Sequence, residues 1–287
     1  MHSNTLSSYT IDGATGILTA AGSISTGTSP EAVAVDPKER YVYVANGQSN
    51  DISAYRIDGE TGQPKPIGHY ATEAYPTAMA VEPCGKYIYV ANYLADSVSA
   101  YAIDAGTGAL KTIGTVATGK NPGAVAVNPF SQIVYVANGI SSTISAYRID
   151  PNGGALTAIG TFADPTYPYS IAVGPSGRFL YSANFGSNDV SAYAIDEDTG
   201  ALHMLGTVPA GVGPFSIAVD PSGRFAYVAN VRSSSISAYA INSENGMLVS
   251  PETTQGRPGA ASINLTAAPR ATTAPSIDNT SCLLHAQ

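Results

Sequence analysis

The feature that most constrains this chain is a phrase of eighteen residues that occurs five times at a constant interval. It first appears as YVYVANGQSNDISAYRID at 41–58, and the later copies begin at Tyr87, Ile133, Phe179 and Phe225. The period is 46 residues and does not drift, since the asparagine of the phrase recurs at Asn46, Asn92, Asn138, Asn184 and Asn230. Self-similarity at a fixed period of about 20–50 residues is typical of arrays and propellers.

Within one repeat, four short segments have the composition of β-strands. In the first complete repeat they are EAVAV at 31–35, YVYVAN at 41–46, ISAYRI at 52–57 and KPIGHYAT at 65–72. They are rich in β-branched and aromatic residues and are bounded by turns containing Asp, Pro and Gly. No stretch shows a helical periodicity of useful length. We therefore predict an all-β fold made of four-stranded antiparallel sheets.

A sheet of this kind has two apolar faces and cannot bury both of them alone. Copies stacked around a central axis bury them against each other, which is the arrangement of a β-propeller. A solenoid would also bury these faces, but it normally needs distinct capping repeats. The first strand of each repeat carries an alanine at one position, as expected for the crowded strand nearest the axis: Ala34, Ala80, Ala126, Ala172 and Ala218.

The blade count follows from the two chain ends. Five complete repeats run from Pro30 to about residue 259, and the segment before Pro30 matches a third and a fourth strand. RPGAASIN at 257–264 matches a first strand, and PRATTA at 269–274 is a weaker second one. We predict one propeller domain over residues 1–265, with six blades and the sixth joined from both ends, followed by an irregular tail at 266–287. An incompletely closed ring is the alternative.

Composition excludes several classes of partner. The net charge is −8, and the thirteen Lys and Arg residues form no cluster, which argues against nucleic acid. No apolar run approaches the roughly 18 residues that a membrane-spanning helix needs. Cys84 and Cys282 form no disulfide framework, and each is interpreted as a lone cysteine. We expect a monomer with no cofactor and no metal, and the low lysine content with Ser/Thr/Tyr-rich strands favours an extracytoplasmic (periplasmic or cell-surface) location.

The repeat resembles the YVTN-type repeat of the lactonase-like β-propellers. The resemblance is carried by YVYVAN at 41–46, ISAYRID at 52–58, TGALKTIGT at 107–115 and DPSGRF at 220–225, and it covers residues 3 to about 264. That family includes bacterial 6-phosphogluconolactonases, fungal carboxymuconate-lactonizing enzymes and archaeal surface-layer propellers. The resemblance implies the propeller fold, and it implies lactone hydrolysis or lactonization as candidate activities.

Variation among the repeats indicates where a ligand would bind. The loops that lead into the first strand, and those between the second and third strands, differ from repeat to repeat, whereas the turns at the opposite end keep one formula. Variable loops on a uniform frame are typical of a binding face, although drift of loop sequences is the alternative. We predict that a small molecule, glycan or protein binds at this end. The predicted ligand-binding residues are Tyr75, Tyr93, Lys120, Asn121, Tyr167, Tyr169, Phe185, Phe215 and Arg232.

Lactone chemistry needs a proton shuttle and a group that stabilises an anion. None of the four histidines maps to the variable-loop end. Glu73 and Asp164 are therefore the candidates for a catalytic base, with Lys120 and Arg232 holding an oxyanion, a carboxylate or a phosphate. Three functions stay open: a recognition propeller, which we favour, a lactone hydrolase or lactonizing isomerase, and a structural cell-surface repeat protein.

Residues that occur in every repeat are interpreted as architectural. The repeated asparagine is predicted to end the second strand and turn the chain by bonding its own backbone, and a ligand-binding ring of amides is the alternative. A repeated aspartate is predicted to open a tight turn, at Asp12, Asp58, Asp104, Asp150 and Asp196.

Overall fold

The computed structural model describes residues 3–255, which form 22 strands and no helix within that range. The all-β prediction is confirmed. Each complete repeat forms one four-stranded antiparallel sheet with its strands paired in sequence order, and the sheets form the blades of a β-propeller. Within residues 3–255 there is no helix that could cross a membrane.

The five complete blades have nearly identical boundaries. Blade 1 contains β3 (Pro30–Val35), β4 (Tyr41–Asn46), β5 (Asp51–Ile57) and β6 (Pro64–Ala71). Blade 2 contains β7 (Pro76–Val81), β8 (Tyr87–Asn92), β9 (Ser97–Ile103) and β10 (Leu110–Ala117). Blade 3 contains β11 (Pro122–Val127), β12 (Ile133–Asn138), β13 (Thr143–Ile149) and β14 (Leu156–Ala163). Blade 4 contains β15 (Pro168–Val173), β16 (Phe179–Asn184), β17 (Asp189–Ile195) and β18 (Leu202–Pro209). Blade 5 contains β19 (Pro214–Val219), β20 (Phe225–Asn230), β21 (Ser235–Ile241) and β22 (Leu248–Gln255).

The first strands of successive blades contact one another and are therefore the innermost strands. In blade 1, Pro30 at the start of β3 pairs with Asn46 at the end of β4. The loop before each first strand and the loop between its second and third strands therefore lie at the same end of the blade. We call this the mouth end, and it is the end at which the sequence predicts binding.

The second strands form the centre of the hydrophobic core. Every residue of β12 is buried, and β4 and β16 are buried along their whole length. The fold therefore buries both faces of these strands, as the near-continuous apolar sequence of YVYVAN indicates.

Two sets of tyrosine hydrogen bonds join each blade to its neighbours. The second-strand tyrosine donates at 2.9–3.1 Å to a turn carbonyl of the next blade, in the pairs Tyr43–Gly108, Tyr89–Gly154, Tyr135–Gly200 and Tyr181–Gly246. The third-strand tyrosine donates at 2.6–3.0 Å to the last residue of the preceding sheet, in the pairs Tyr55–Ser25, Tyr101–Ala71, Tyr147–Ala117, Tyr193–Ala163 and Tyr239–Pro209. A buried phenol needs a partner for its hydroxyl, so each tyrosine specifies the position of an adjacent blade.

The turns at the end opposite the mouth are organised by the repeated aspartate, as predicted. In blade 1, Asp58 Oδ1 accepts hydrogen bonds from the backbone N–H groups of Glu60 and Thr61 and from the Thr61 hydroxyl. The same aspartate–threonine contact occurs at Asp12, Asp104 and Asp196. These hydrogen bonds lower the pKa of each of the four carboxyl groups, with the ammonium group of Lys65 as the largest cause at Asp58.

A two-stranded sheet precedes blade 1 and matches the outer half of a blade. It contains β1 (Thr5–Ile11) and β2 (Leu18–Ser25). Tyr9 in β1 is 55% exposed, whereas the tyrosine at the same position of the five blades is only 1–4% exposed. The segments predicted to complete a sixth blade, 257–264 and 269–274, lie outside the described residues, as does the predicted tail, so six-bladed closure stays a prediction.

The interpretation of Cys84 as a lone cysteine is wrong. Cys84 lies in the turn between β7 and β8 and is disulfide-bonded.

We expect Tyr135→Phe to lower the free energy of unfolding by about 1–2 kcal/mol, because it leaves the buried Gly200 carbonyl without its donor. Urea unfolding followed by circular dichroism measures this change. Tyr9→Phe is the matched control, since the exposed Tyr9 hydroxyl makes no hydrogen bond within residues 3–255. Equal effects of the two substitutions would contradict the role assigned to the tyrosine contacts.

Candidate functional site

A repeated hydrogen bond fixes the loops of the mouth end. In each case a side-chain oxygen from the loop after a second strand, or from Asn4 before β1, accepts the backbone N–H of the residue just before the next blade, at 2.8–3.3 Å. The pairs are Asn4–Ser29, Asn50–Tyr75, Asp96–Asn121, Ser142–Tyr167 and Asn188–Gly213. This contact links consecutive sheets at the mouth, and it gives Asp96 an architectural role.

Two of the donors are tyrosines with a left-handed backbone. Tyr75 has φ 58° and Tyr167 has φ 60°, a region that costs most side chains about 1–2 kcal/mol. Each is followed by a proline that begins an inner strand. The loop contact therefore holds two large aromatic side chains in a backbone conformation that most other residues avoid.

Six aromatic side chains from the predicted set form a continuous group of contacts at the mouth end, which we call the aromatic cluster. Tyr75 and Tyr93 lie 6.4 Å apart between ring centroids. The Tyr93 and Tyr167 hydroxyls are hydrogen-bonded at 2.9 Å, which joins blade 2 to the loop before blade 4. Tyr169 stacks on Phe215 with ring centroids 4.0 Å apart. The remaining contacts have centroids 6.1–6.4 Å apart and join Tyr167 to Tyr169, and Phe185 to Tyr167, Tyr169 and Phe215.

Glycines make room for the two tyrosines that precede a blade. A Cβ atom added at Gly47 would lie 3.1 Å from the Tyr75 ring, and one added at Gly139 would lie 3.1 Å from the Tyr167 ring. In the repeats, these glycines occupy the position that carries Tyr93 in blade 2 and Phe185 in blade 4. Where the loop before a blade carries one of these tyrosines, the facing loop of the preceding blade carries a glycine, so two large side chains do not collide there.

One charged group lies at each end of the aromatic cluster. Glu31, the second residue of β3, accepts hydrogen bonds from the Ser29 hydroxyl at 2.8 Å and from the Tyr75 hydroxyl at 3.1 Å. The guanidinium carbon of Arg232 lies 4.4 Å from the centroid of the Phe185 ring. Arg232 is exposed, and this contact is a cation–π interaction. A carboxylate and a guanidinium therefore flank the aromatic cluster.

Sequence reasoning missed Glu31. The same position carries Thr77, Gly123, Tyr169 and Phe215 in the other blades. Of the five residues at this position, Glu31, Tyr169 and Phe215 lie at the cluster. The signal was therefore present: this position varies within an otherwise uniform strand.

The phenols of Tyr75, Tyr167 and Tyr169 remain neutral at physiological pH. Burial raises the pKa of Tyr167 to about 12, and the hydrogen bond that Tyr167 shares with Tyr93 adds to this effect. Burial is also the main reason that the pKa of Tyr169 and that of Tyr75 are raised. These tyrosines are therefore poor proton acceptors at that pH.

Asn121 and Lys120 differ in their placement. The Asn121 side chain donates to the Tyr93 carbonyl at 3.1 Å and so helps to fix the backbone of Tyr93, a member of the aromatic cluster. Lys120 is exposed, and only its backbone N–H is engaged, at Ser141. Within residues 3–255 the Lys120 side chain makes no hydrogen bond or ion pair.

The two predicted catalytic carboxylates are not brought together. Glu73 is exposed, and its side chain makes no hydrogen bond or ion pair within the described range. Asp164 is only 9% exposed and accepts hydrogen bonds from Ser191 and Tyr193, both at 2.7 Å. Asp164 therefore lies against the third strand of blade 4, and none of these contacts involves the aromatic cluster.

Burial raises the pKa of Asp164 to about 6, and the neighbouring hydroxyls of Ser182, Ser191 and Tyr193 partly offset the effect. In the repeats, the position of Asp164 carries threonine or alanine, and the position of Ser182 carries valine. Ser182 also donates to the Asn184 side chain at 3.0 Å. Blade 4 thus contains a buried polar group that the other blades lack.

The repeated asparagines are architectural, but their bonding differs from the prediction. All five are fully buried, and each amide donates to a third-strand serine at 2.8–3.0 Å, in the pairs Asn46–Ser53, Asn92–Ser99, Asn138–Ser145, Asn184–Ser191 and Asn230–Ser237. They therefore join two strands of one blade instead of lining a channel. Among the described residues there is no group of three or more His, Cys, Asp or Glu side chains that could hold a metal ion.

The family model for lactonases, described as seven-bladed β-propellers, matches residues 2–81, 68–169 and 160–264. The chain belongs to the lactonase family of β-propellers. Whereas the family is described as seven-bladed, the described residues of this lactonase-like propeller form five complete blades and one two-stranded sheet. Among curated protein sequences, none matches the chain.

Solved structures share the fold at low sequence identity. A candidate 6-phosphogluconolactonase from Bacteroides uniformis is 22% identical with a TM-score of 0.79, and the match covers 88% of this chain and 78% of that one. A second candidate 6-phosphogluconolactonase, from Bacteroides fragilis, is 21% identical with a TM-score of 0.78 and the same coverage of both chains. Hydrazine synthase from Kuenenia stuttgartiensis is 18% identical with a TM-score of 0.68, over 89% of this chain and 82% of that one. Proteins with such different names share this fold, so the function has to be argued from the site.

Asp164 gives the lactonase-like propeller a specific dependence on pH. Its folded-state pKa of about 6 lies above the ordinary value of 3.8, so the folded state binds the proton more tightly than the unfolded state does. Ionisation of Asp164 therefore removes stability as the pH rises from about 4 to about 6. Between these limits we expect wild type to lose about 2–3 kcal/mol relative to Asp164→Asn. Urea unfolding of both proteins across this range measures the difference, and parallel pH profiles would contradict the assignment.

Proposed function

We propose that this lactonase-like propeller is a recognition protein that binds a small molecule at the mouth end through the aromatic cluster. The observation that carries the proposal is the continuity of six aromatic side chains between blades 2 and 5. Four are supplied by the loops that vary among the repeats, and two by the variable second position of an inner strand. Aromatic faces bury the apolar face of a ring or an alkyl group. A few polar groups then fix its orientation, as is usual in ligand sites.

The surrounding contacts support a preformed site. Asn121 holds the Tyr93 backbone, glycines at 47 and 139 accommodate Tyr75 and Tyr167, and the loop hydrogen bonds fix both tyrosines. A ligand would therefore meet side chains whose positions are already determined. Preorganisation of this kind reduces the entropy that is lost on binding.

The same contacts favour recognition over catalysis. Proton transfer at neutral pH works best with a group whose pKa lies near the pH, and Tyr167 and Tyr169 stay protonated there. Asp164 has a suitable pKa, but it is buried against Ser191 and Tyr193. Glu73 contacts neither Asp164 nor the cluster through a hydrogen bond or ion pair within residues 3–255.

Lactone hydrolysis is the second candidate, because the family is that of the lactonases and two structural neighbours are named as candidate 6-phosphogluconolactonases. In this reading Glu31 would be the base, and Arg232 would hold the anionic group of the substrate. Binding of a glycan or a protein over the same aromatic surface would use the same residues.

We expect a ligand found by screening a panel of sugars, small aromatic molecules and ammonium compounds to bind at least about tenfold more weakly to Tyr169→Ala, because the substitution removes a stacking face. Isothermal titration calorimetry measures the affinities. Phe130→Ala is the matched control, since Phe130 is an exposed aromatic residue in the turn at the opposite end. An unchanged affinity in Tyr169→Ala, with a folded protein by circular dichroism, would place the ligand elsewhere.

We expect phosphogluconolactone and simple lactones to be hydrolysed in the presence of the protein no faster than without it. Loss of lactone, followed by pH-stat titration, measures the rate. If the rate exceeds the background and Glu31→Gln removes the excess, the recognition proposal gives way to the hydrolase.

A further inference from the structure

Within residues 3–255, the carboxylate at the mouth has no ion-pair partner. The Lys and Arg ion pairs of this range join Arg40 to Asp36 and Lys65 to Asp58. Glu31 is exposed and takes part in neither of them. Its hydrogen bonds come from two neutral hydroxyls, of Ser29 and Tyr75. No cation of the described residues therefore neutralises Glu31.

A chain of tyrosine contacts begins at this carboxylate. The Tyr75 hydroxyl donates to Glu31, and the ring centroids of Tyr75 and Tyr93 lie 6.4 Å apart. The Tyr93 hydroxyl is hydrogen-bonded to that of Tyr167, and the ring centroids of Tyr167 and Tyr169 lie 6.4 Å apart. One carboxylate therefore lies at the end of a connected group of electron-rich rings.

The other end of the aromatic cluster already holds a cation. The Arg232 guanidinium lies over the Phe185 ring at 4.4 Å. This contact shows that one ring face of the cluster is accessible to a cation. At the Glu31 end, no Lys or Arg side chain of the described residues has an ion pair or a cation–π contact.

We propose that the Glu31 end of the aromatic cluster binds a compact alkylammonium cation, with a quaternary ammonium group as the preferred form. This inference rests on the proposed recognition function and specifies its ligand class. Quaternary ammonium ions are bound in proteins by aromatic faces, with a contribution from nearby negative charge. The net charge of −8 further favours the approach of a cation.

The ring faces explain the preference for a quaternary group over a primary one. A primary ammonium is strongly hydrated and carries three donors that need acceptors. An aromatic face offers no lone pair to such a donor, whereas it packs well against the methyl groups of a quaternary ammonium. At the ring faces, a cation without N–H donors therefore loses less on binding.

Isothermal titration calorimetry with choline, tetramethylammonium, ethanolamine and the neutral isostere 3,3-dimethylbutan-1-ol tests the inference. We expect choline and tetramethylammonium to bind at least about tenfold more tightly than the isostere, and ethanolamine to bind more weakly than choline. Glu31→Gln should weaken choline binding about tenfold, and raised salt should weaken it further. Glu60→Gln, which removes an exposed carboxylate at the opposite end, should leave binding unchanged.

Two substitutions of Tyr169 separate the contribution of its ring face to choline affinity from that of its hydroxyl. Tyr169→Phe keeps the face and should retain choline affinity within about threefold, whereas Tyr169→Leu should lose about tenfold. The thermal midpoint of each variant shows whether it is folded. If Tyr169→Phe and Tyr169→Leu weaken binding equally in folded proteins, the ring face is not the binding element and the inference is overturned.

The outcomes also distinguish this inference from the proposed function. Equal affinity for choline and for 3,3-dimethylbutan-1-ol would overturn the cation inference and leave recognition at the aromatic cluster standing. The same holds if a sugar or a neutral aromatic molecule binds in a Tyr169-dependent manner while no ammonium compound does. Absence of any Tyr169-dependent binding across the whole panel would overturn both.

Discussion

The interaction on which the rest of the structure depends is the burial of sheets that are apolar on both faces. Such a sheet is stable only between two others, and the buried tyrosines make this packing specific. Tyr135 reaches forward to a turn of blade 4, and Tyr147 reaches back to the end of blade 2. Dispersion and area burial favour contact between blades in many arrangements. The hydroxyl partners select one of them, because a buried phenol without an acceptor is destabilising.

Since the inner strands, tyrosines and aspartate turns hold the frame, the mouth loops are free to differ. Their backbone is still controlled, because one hydrogen bond per blade, such as that from Tyr75 to Asn50, positions each loop against the next sheet. The side chains on these loops can therefore change from glycine to tyrosine without moving the strands. The aromatic cluster is the result in blades 2 to 5, and the buried Asp164 is a second departure in blade 4.

Particular residues show how far the sequence predicts the site. The sequence placed Tyr75, Tyr167 and Phe215 at the mouth end because position in the repeat fixes position in the blade. It missed Glu31, since only the structure shows that the second residue of an inner strand meets the loop before blade 2. It offered Asp164 as a base, whereas the side chain turns inward to Ser191 and Tyr193. Direction of a side chain depends on neighbours that are distant in sequence, such as the hydroxyl of Tyr193, and no local pattern encodes it.

The sequence by itself determined the repeat, the four strands of each blade, the turns that join them and the end of the blade at which variation gathers. These properties are local or periodic, so alternation, turn residues and spacing are sufficient to specify them. Only the tertiary structure decided which variable side chains touch. Tyr93 and Tyr167 are 74 residues apart and meet through their hydroxyls, and Glu31 meets Tyr75 from the preceding blade. Such contacts depend on how neighbouring blades are placed against each other, and that placement is set by the packing of the whole sheet array.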